Sequence, residues 1–198
     1  MASTATSPRT RAAALPPEER RAAIIDAAVP LLLEHGSAVT TRQIAEAAGI
    51  AEGTVFRAFA DKEALLAAVV ESVVDPAPAE AAVRAVDPSL PLEDRLAAVV
   101  GIVQDRVDRI WQVMTAVGMT VPPEHRRAAA RSRTAPELQA VADVIAPDAD
   151  RLDRDPLDAA ILLRSLTFAC SHPALVVGDP LPADAIVALL LDGIRRRA

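Results

Sequence analysis

The chain has 198 residues with 21 basic and 27 acidic groups, a formal charge of −6, and is 52% hydrophobic but only 2% aromatic. This length suits a small head and a larger body with separate cores, and one cysteine, Cys170, leaves no disulfide framework. Only 7 glycines and no alternating β-branched runs argue against sheets and for an all-α fold. Most prolines fall at expected element borders, such as Pro16-Pro17, Pro122-Pro123, Pro136, Pro156 and Pro182. The N-terminus lacks an apolar signal core, and charges or prolines break every apolar run before membrane-spanning length. A cytoplasmic protein with no membrane partner is expected.

Residues 1–14 are small, polar and basic and read as a disordered arm. Its Arg9 and Arg11, with Arg20 and Arg21, could reach a nucleic-acid backbone or minor groove, or form a solvated tail. Pro16-Pro17-Glu18-Glu19 opens a first helix, with Ile24, Ala28, Leu31 and Leu32 as its buried stripe and Gly36 as its stop. Pro30 removes one bond of that helix and predicts a kink. His35 most simply neutralises the helix end. Thr40 and Thr41 supply caps for a second helix, Ile44, Ala45 and Ala48 share its inner face, and Gly49 reverses the chain. A third helix runs from about Ala51 to Phe59, with Val55 and Phe59 inward and Thr54 and Arg57 outward. Two short helices joined by a glycine turn match the helix-turn-helix, whose second helix enters the DNA major groove. Asp61 then caps a linking helix through Leu65, Leu66, Val69 and Val73 to Val74, which Asp75-Pro76-Ala77-Pro78 stops.

The body begins with the cleanest periodicity, Leu92 to about Val117, where Leu96, Val99, Val100, Val103, Val107, Ile110, Trp111, Met114 and Val117 form one stripe. Asp105 and Arg109 are an i,i+4 pair on its wet side. Short helices are predicted at Pro123–Arg131 and Pro136–Ile145, then two long apolar ones at Pro156–Cys170 and Pro182–Ile194. The acidic charge lies in this body. Residues 1–62 balance seven basic against seven acidic groups, which leaves 14 basic and 20 acidic for the rest. A neutral head with clustered cations tolerates phosphate, while an acidic body stays off it.

At its N-terminal third the chain resembles the TetR family of one-component transcriptional regulators. The resemblance rests on the apolar helix Ile24 to Leu33, Gly36, Thr40-Thr41, Ile44-Ala45, Ala48-Gly49-Ile50, Gly53-Thr54, Phe59 and Lys62-Glu63-Ala64-Leu65. Three positions depart from it. Ala51 stands where a capping serine is frequent, Phe56 where tyrosine is usual and Ala58 where histidine is usual. Each departure deletes a polar atom that would face phosphate, which predicts weaker or more salt-sensitive binding. The resemblance implies a homodimer and an effector pocket among the central helices of the body.

The expected architecture is therefore an N-terminal three-helix helix-turn-helix head at 15–75, including the linking helix 61–74. A larger helical effector-binding and dimerisation domain follows at 76–198. DNA contacts are assigned to Thr41, Arg42, Glu52, Gly53, Thr54, Phe56, Arg57 and Lys62. Arg57 can grip a phosphate or a guanine, Thr54 a phosphate, and Thr41, Arg42 and Lys62 stand at helix starts that favour anions. Glu52 either complements the helix dipole or accepts from a cytosine amine. Val107, Ile110, Trp111, Met114, Met119 and Phe168 are candidates for an apolar ligand site, with core packing as the alternative. His125 and His172 are lone histidines, each more simply a surface or hydrogen-bonded group than a ligand contact.

The last two helices are apolar most of the way round, which predicts a four-helix seam with a second copy through Ile161, Leu166, Ile186, Leu189 and Leu190. No metal set is visible, since Cys170 and His172 have no third ligand near in sequence, and no cofactor is implied. No nucleophile elbow or phosphate loop argues for an enzyme. The function expected is a DNA-binding regulator, a repressor released from operator DNA by a small apolar effector. The alternative is a small-molecule-binding helical protein with weak or vestigial DNA binding.

Overall fold

The computed structural model describes residues 16–118 and 135–194. The predicted arm, the helix at Pro123–Arg131, Met119 and His125 lie outside these residues. Every regular element among them is helical. Helix α1 (Pro17–His35) begins with proline in its first turn and Glu18 and Glu19 at its positive end, and buries Ile24, Ala28 and Leu32 at four-residue steps. Pro30, where a kink was expected, lies inside the helix without ending it. Pro30 and Asp26 are both exposed, so water can take the carbonyl that loses its donor.

Helix α2 (Thr41–Ala47) carries a full capping box. The Thr40 hydroxyl accepts from the Gln43 N–H at 3.2 Å, and the Gln43 carboxamide oxygen accepts from the Thr40 N–H at 2.8 Å. Gly49, at φ +67°, turns the chain into α3 (Glu52–Ala58), which has no side-chain cap because Ala51 stands at its entrance. Helix α4 (Lys62–Val74) is capped by Asp61, whose carboxylate accepts from the Ala64 N–H at 2.7 Å. Together these helices bury Val39, Ile44, Val55, Phe59, Leu65 and Val69 against α1.

The expected stop does end α4 at Val74, and helix α5 (Ala77–Arg84), not expected from sequence, begins directly after it. Its prolines occupy the first turn, where a missing N–H costs nothing, and Val83 anchors it. Helix α6 (Leu92–Ala116) is the long central helix. It is followed by α7 (Pro136–Ile145), a 3₁₀ segment (Ala146–Arg151), α8 (Pro156–Ser171) and α9 (Ala183–Ile194). Leu96, Val99 and Val100 of α6 pack with Leu138, Ile145, Leu163, Ile186 and Leu191 in a second core. The spacing of Asp105 and Arg109 suits an ion pair, but both are exposed and no bridge joins them. Arg95 of α6 is buried instead, donating to the Leu90 carbonyl at 2.9 Å and pairing with Asp148, which also accepts from Arg151 at 2.7 Å.

Helix α6 belongs to both cores. Its far end inserts Val113, fully buried, into the α1–α4 cluster, with Val117 packed alongside. Gly36 sits against that end at φ +59°, where an added Cβ would stand 3.3 Å from the Ala116 carbonyl oxygen. The head core is therefore closed by a body helix.

Candidate nucleic-acid interface

Helix α3 is held by two inward side chains, Val55 and Phe59, at 1% and 3% exposure. With those two fixed, Glu52, Gly53, Phe56 and Arg57 face out and Thr54 is half-buried. Phe56 is 51% exposed, a large apolar surface that the head does not use for folding. Apart from its chain neighbours and the adjacent backbone of its own helix, no atom of the described residues lies within 4 Å of where a Gly53 Cβ would stand, so bare backbone is presented there.

The expected cations differ in what they touch. Arg42 pairs with Glu46 on its own helix at 3.0 Å, both well exposed, and such a surface pair contributes little. Lys62 donates to the Ser37 carbonyl at 2.6 Å, which ties α4 to the turn after α1. Arg57 has no partner among the described residues and is the cation of this face available to an outside anion. The Thr41 hydroxyl donates to Glu52 Oε1 at 2.6 Å, a bridge from the start of α2 to the start of α3.

Arg21, read from sequence as part of a basic arm, is built into the fold. Its guanidinium donates to the Ala58 carbonyl at 2.9 Å and lies 4.2 Å over the Phe59 ring. It closes the last turn of α3 by hydrogen bond and cation–π contact together. No short-range pattern links positions 21 and 58.

In the body, Trp111 and Phe168 meet across His172. The imidazole centroid is 4.8 Å from the Trp111 ring at 70° and 4.7 Å from Phe168 at 46°. Burial pushes the His172 pKa below its usual value, and Nδ1 accepts from the Ala174 N–H at 3.2 Å. Val107 and Ile110 are half-buried beside them, and Met114 is buried. An open groove of about 480 Å³ lies elsewhere, between α1 and the end of α4, lined by Arg21, Ile25, Ala68, Glu71, Val74 and Asp75.

The seam residues divide. Ile186 and Leu190, expected to face a second copy, are 0% and 5% exposed because they fill the chain's own core. Leu189 is 54% exposed, Ile161 and Leu166 are half-buried, and Leu162, missed from sequence, is exposed. Among the described residues no helix is long and apolar enough to cross a membrane, and no three His, Cys, Asp or Glu gather as metal ligands.

The family model described as "Bacterial regulatory proteins, tetR family" matches residues 24–69. That span runs from Ile24 of α1 through α3 to Val69 of α4. Solved structures share the fold across nearly the whole chain. A TetR-family protein from Vibrio parahaemolyticus is 21% identical, with a TM-score of 0.55 over 90% of this chain and 100% of that one. The TetR transcriptional regulator SCO0520 from Streptomyces coelicolor is 24% identical, at 0.53 over 90% and 99%. SmeT, repressor of the Stenotrophomonas maltophilia multidrug efflux pump SmeDEF, is 22% identical, at 0.54 over 90% and 91%. SmeT also matches in its complex with triclosan, at 21% identity and 0.54 over 91% and 93%.

Proposed function

Because residues 24–69 match the tetR family of bacterial regulatory proteins, we propose that the chain acts as a homodimeric repressor that leaves its operator when a small apolar effector binds the body. The observation that carries this reading is the exposed face of α3. Gly53, Phe56 and Arg57 are turned to solvent by the burial of Val55 and Phe59, within the segment that matches the family. A two-fold dimer would present two such helices to half-sites about 34–36 Å apart, or a multiple of that distance. Thr41, Arg42, Thr54 and Lys62 complete the contacting surface, with Arg42 and Lys62 free to exchange weak exposed bonds for phosphate.

The dimer would form through the exposed side of α8 and α9, around Leu162, Leu189 and the half-buried Ile161 and Leu166. The effector would meet the aromatic group of Trp111 and Phe168 with Val107, Ile110, Met114 and Met119. SmeT, whose complex holds triclosan, offers a precedent for an apolar ligand in this fold. Helix α6 carries Val107, Ile110, Trp111 and Met114 in its C-terminal half, alongside the head-core Val113, so displacement of α6 there would tilt α3. Reversing occupancy from 99:1 to 1:99 needs about 5.5 kcal/mol of preference between the two arrangements.

The second reading, ligand binding with vestigial DNA affinity, draws on the engagement of Arg42 by Glu46 and of Lys62 by Ser37. Gel-shift titrations against the protein's own upstream DNA and against random duplex, at several salt concentrations, separate the two. Selective retention of the upstream DNA, lost in Arg57→Ala without change in oligomeric state, supports the regulator. Equal weak binding to both duplexes supports the second reading.

A further inference from the structure

Glu52 is an anomaly on a surface meant for DNA. It stands in the first turn of α3, beside Gly53 and one turn before Phe56, on the outward side. A carboxylate there repels phosphate. Complementing the helix dipole would explain an acid at this point, but that role needs no partner on another helix. Glu52 has one, since Oε1 receives the Thr41 hydroxyl at 2.6 Å. The bond fixes the direction of the carboxylate and leaves Oε2 as an uncommitted acceptor. It also occupies the one proton Thr41 could give to a phosphate, so Thr41 serves Glu52 before it serves DNA.

The first residues of a recognition helix are those that touch base edges in the major groove. Guanine offers that groove two acceptors and thymine one, all of which repel a carboxylate. Adenine has an amine, but its N7 acceptor lies beside it. Cytosine presents its N4 amine alone, the one edge a fixed carboxylate oxygen can accept from without facing another acceptor. We propose that Glu52 is a specificity-determining residue that selects cytosine at one position of each half-site, with Thr41 as the positioning residue that aims it. The inference rests on the DNA-reading function proposed above. It adds that part of the selectivity comes from repulsion of wrong bases, at some cost in general affinity.

Selection from a randomised duplex library with the full-length protein provides the test. Wild type should enrich a two-fold motif with cytosine at one position per half-site. Glu52→Ala should flatten that position alone, and should bind random duplex more tightly because a like charge is gone. Glu52→Gln keeps an acceptor for Thr41 but turns an amide donor outward in place of Oε2, so its preference should move from cytosine to bases that present acceptors, guanine foremost. Thr41→Val should blur the same position, and Thr41→Ser should restore it. On the selected duplex, replacing that cytosine with 2-pyrimidinone, which lacks the amine, should weaken wild type about 5- to 150-fold, as loss of one good base contact does. Glu52→Ala should be indifferent to the replacement.

An unchanged motif in folded Glu52→Ala and Glu52→Gln, with melting temperature as the control, would overturn the proposal while leaving the DNA-reading function standing. Failure of wild type to enrich any motif would instead overturn that function, and this proposal with it.

Discussion

Arg106 bolts the linking helix to the body, and removing it should loosen one turn of α4. Its guanidinium reaches across from α6 to donate to the Asp75 carbonyl at 2.6 Å and the Val74 carbonyl at 2.7 Å. These are the last acceptors of α4, at the negative end of its dipole. Burial lowers the Arg106 pKa, while the charges of Glu137 and Asp75 oppose that shift, so the group remains a cation. In a dry site two charge-assisted bonds would each contribute about 1.5–3 kcal/mol. Val74 and Asp75 are exposed, so water replaces much of what Arg106→Leu removes, and a total cost of about 1–2 kcal/mol is expected. For a chain of this size that corresponds to a fall in Tm of roughly 2–8 °C. Hydrogen exchange should localise the effect, with amides near residues 71–75 exchanging about 5- to 30-fold faster and the first turn of α4 unaffected. Arg106→Lys keeps the charge but not the fork, and should recover about half of the loss. Unchanged exchange at the end of α4, or acceleration spread evenly over the head, would refute the clasp.

Trp111 is the only tryptophan and meets His172 edge-on, so its emission should titrate with the imidazole. The His172 pKa is lowered, so the unfolded chain takes up the proton first and stability falls as pH drops through about 6.5. A fluorescence midpoint below that value, absent in His172→Gln, is expected; flat emission from pH 7 to 5 would contradict it. Asp148 has its pKa lowered, mainly by hydrogen bonds from Arg151 and Arg95. Its contribution is present above the unfolded pKa of about 3.9 and is lost as pH falls through the folded value. Asp148→Ala strands the buried Arg95 and should cost about 3 kcal/mol or more at pH 7, read from urea midpoints. Leu189→Arg should give folded monomers by sedimentation, whereas Leu190→Ala should cost about 2–5 kcal/mol of stability and leave association intact. Dimers that persist in Leu189→Arg would place the seam elsewhere.

The sequence showed what is local. The cap at Thr40, the reversal at Gly49 and the cap at Asp61 each involve groups within three or four residues and were read from type and spacing, while the return bond from Gln43 that completes the capping box was not. Contacts that cross the chain were hidden. Arg21 reaches 37 residues to Ala58, Arg106 reaches 32 back to Val74, and Thr41 crosses 11 to Glu52. The prolines at 76 and 78 read correctly as the stop of α4 but gave no sign of α5, because proline marks both the end of one helix and the first turn of the next. On α9 an almost wholly apolar helix leaves no phase from which to decide that Leu190 faces inward and Leu189 outward.

The stripe of α6 shows the same limit in its most consequential form. Its period is plain from Leu96 to Val117, yet period says only that one side is covered. The cover changes along the way, from α7, α8 and α9 around Leu96 and Val100 to α1 and α4 around Val113. A single rigid helix with one end in each core cannot shift at one without repacking the other, because close-packed cores resist small displacements. The physical link between body and head is therefore that change of partner, and Arg106 stands close to where it happens.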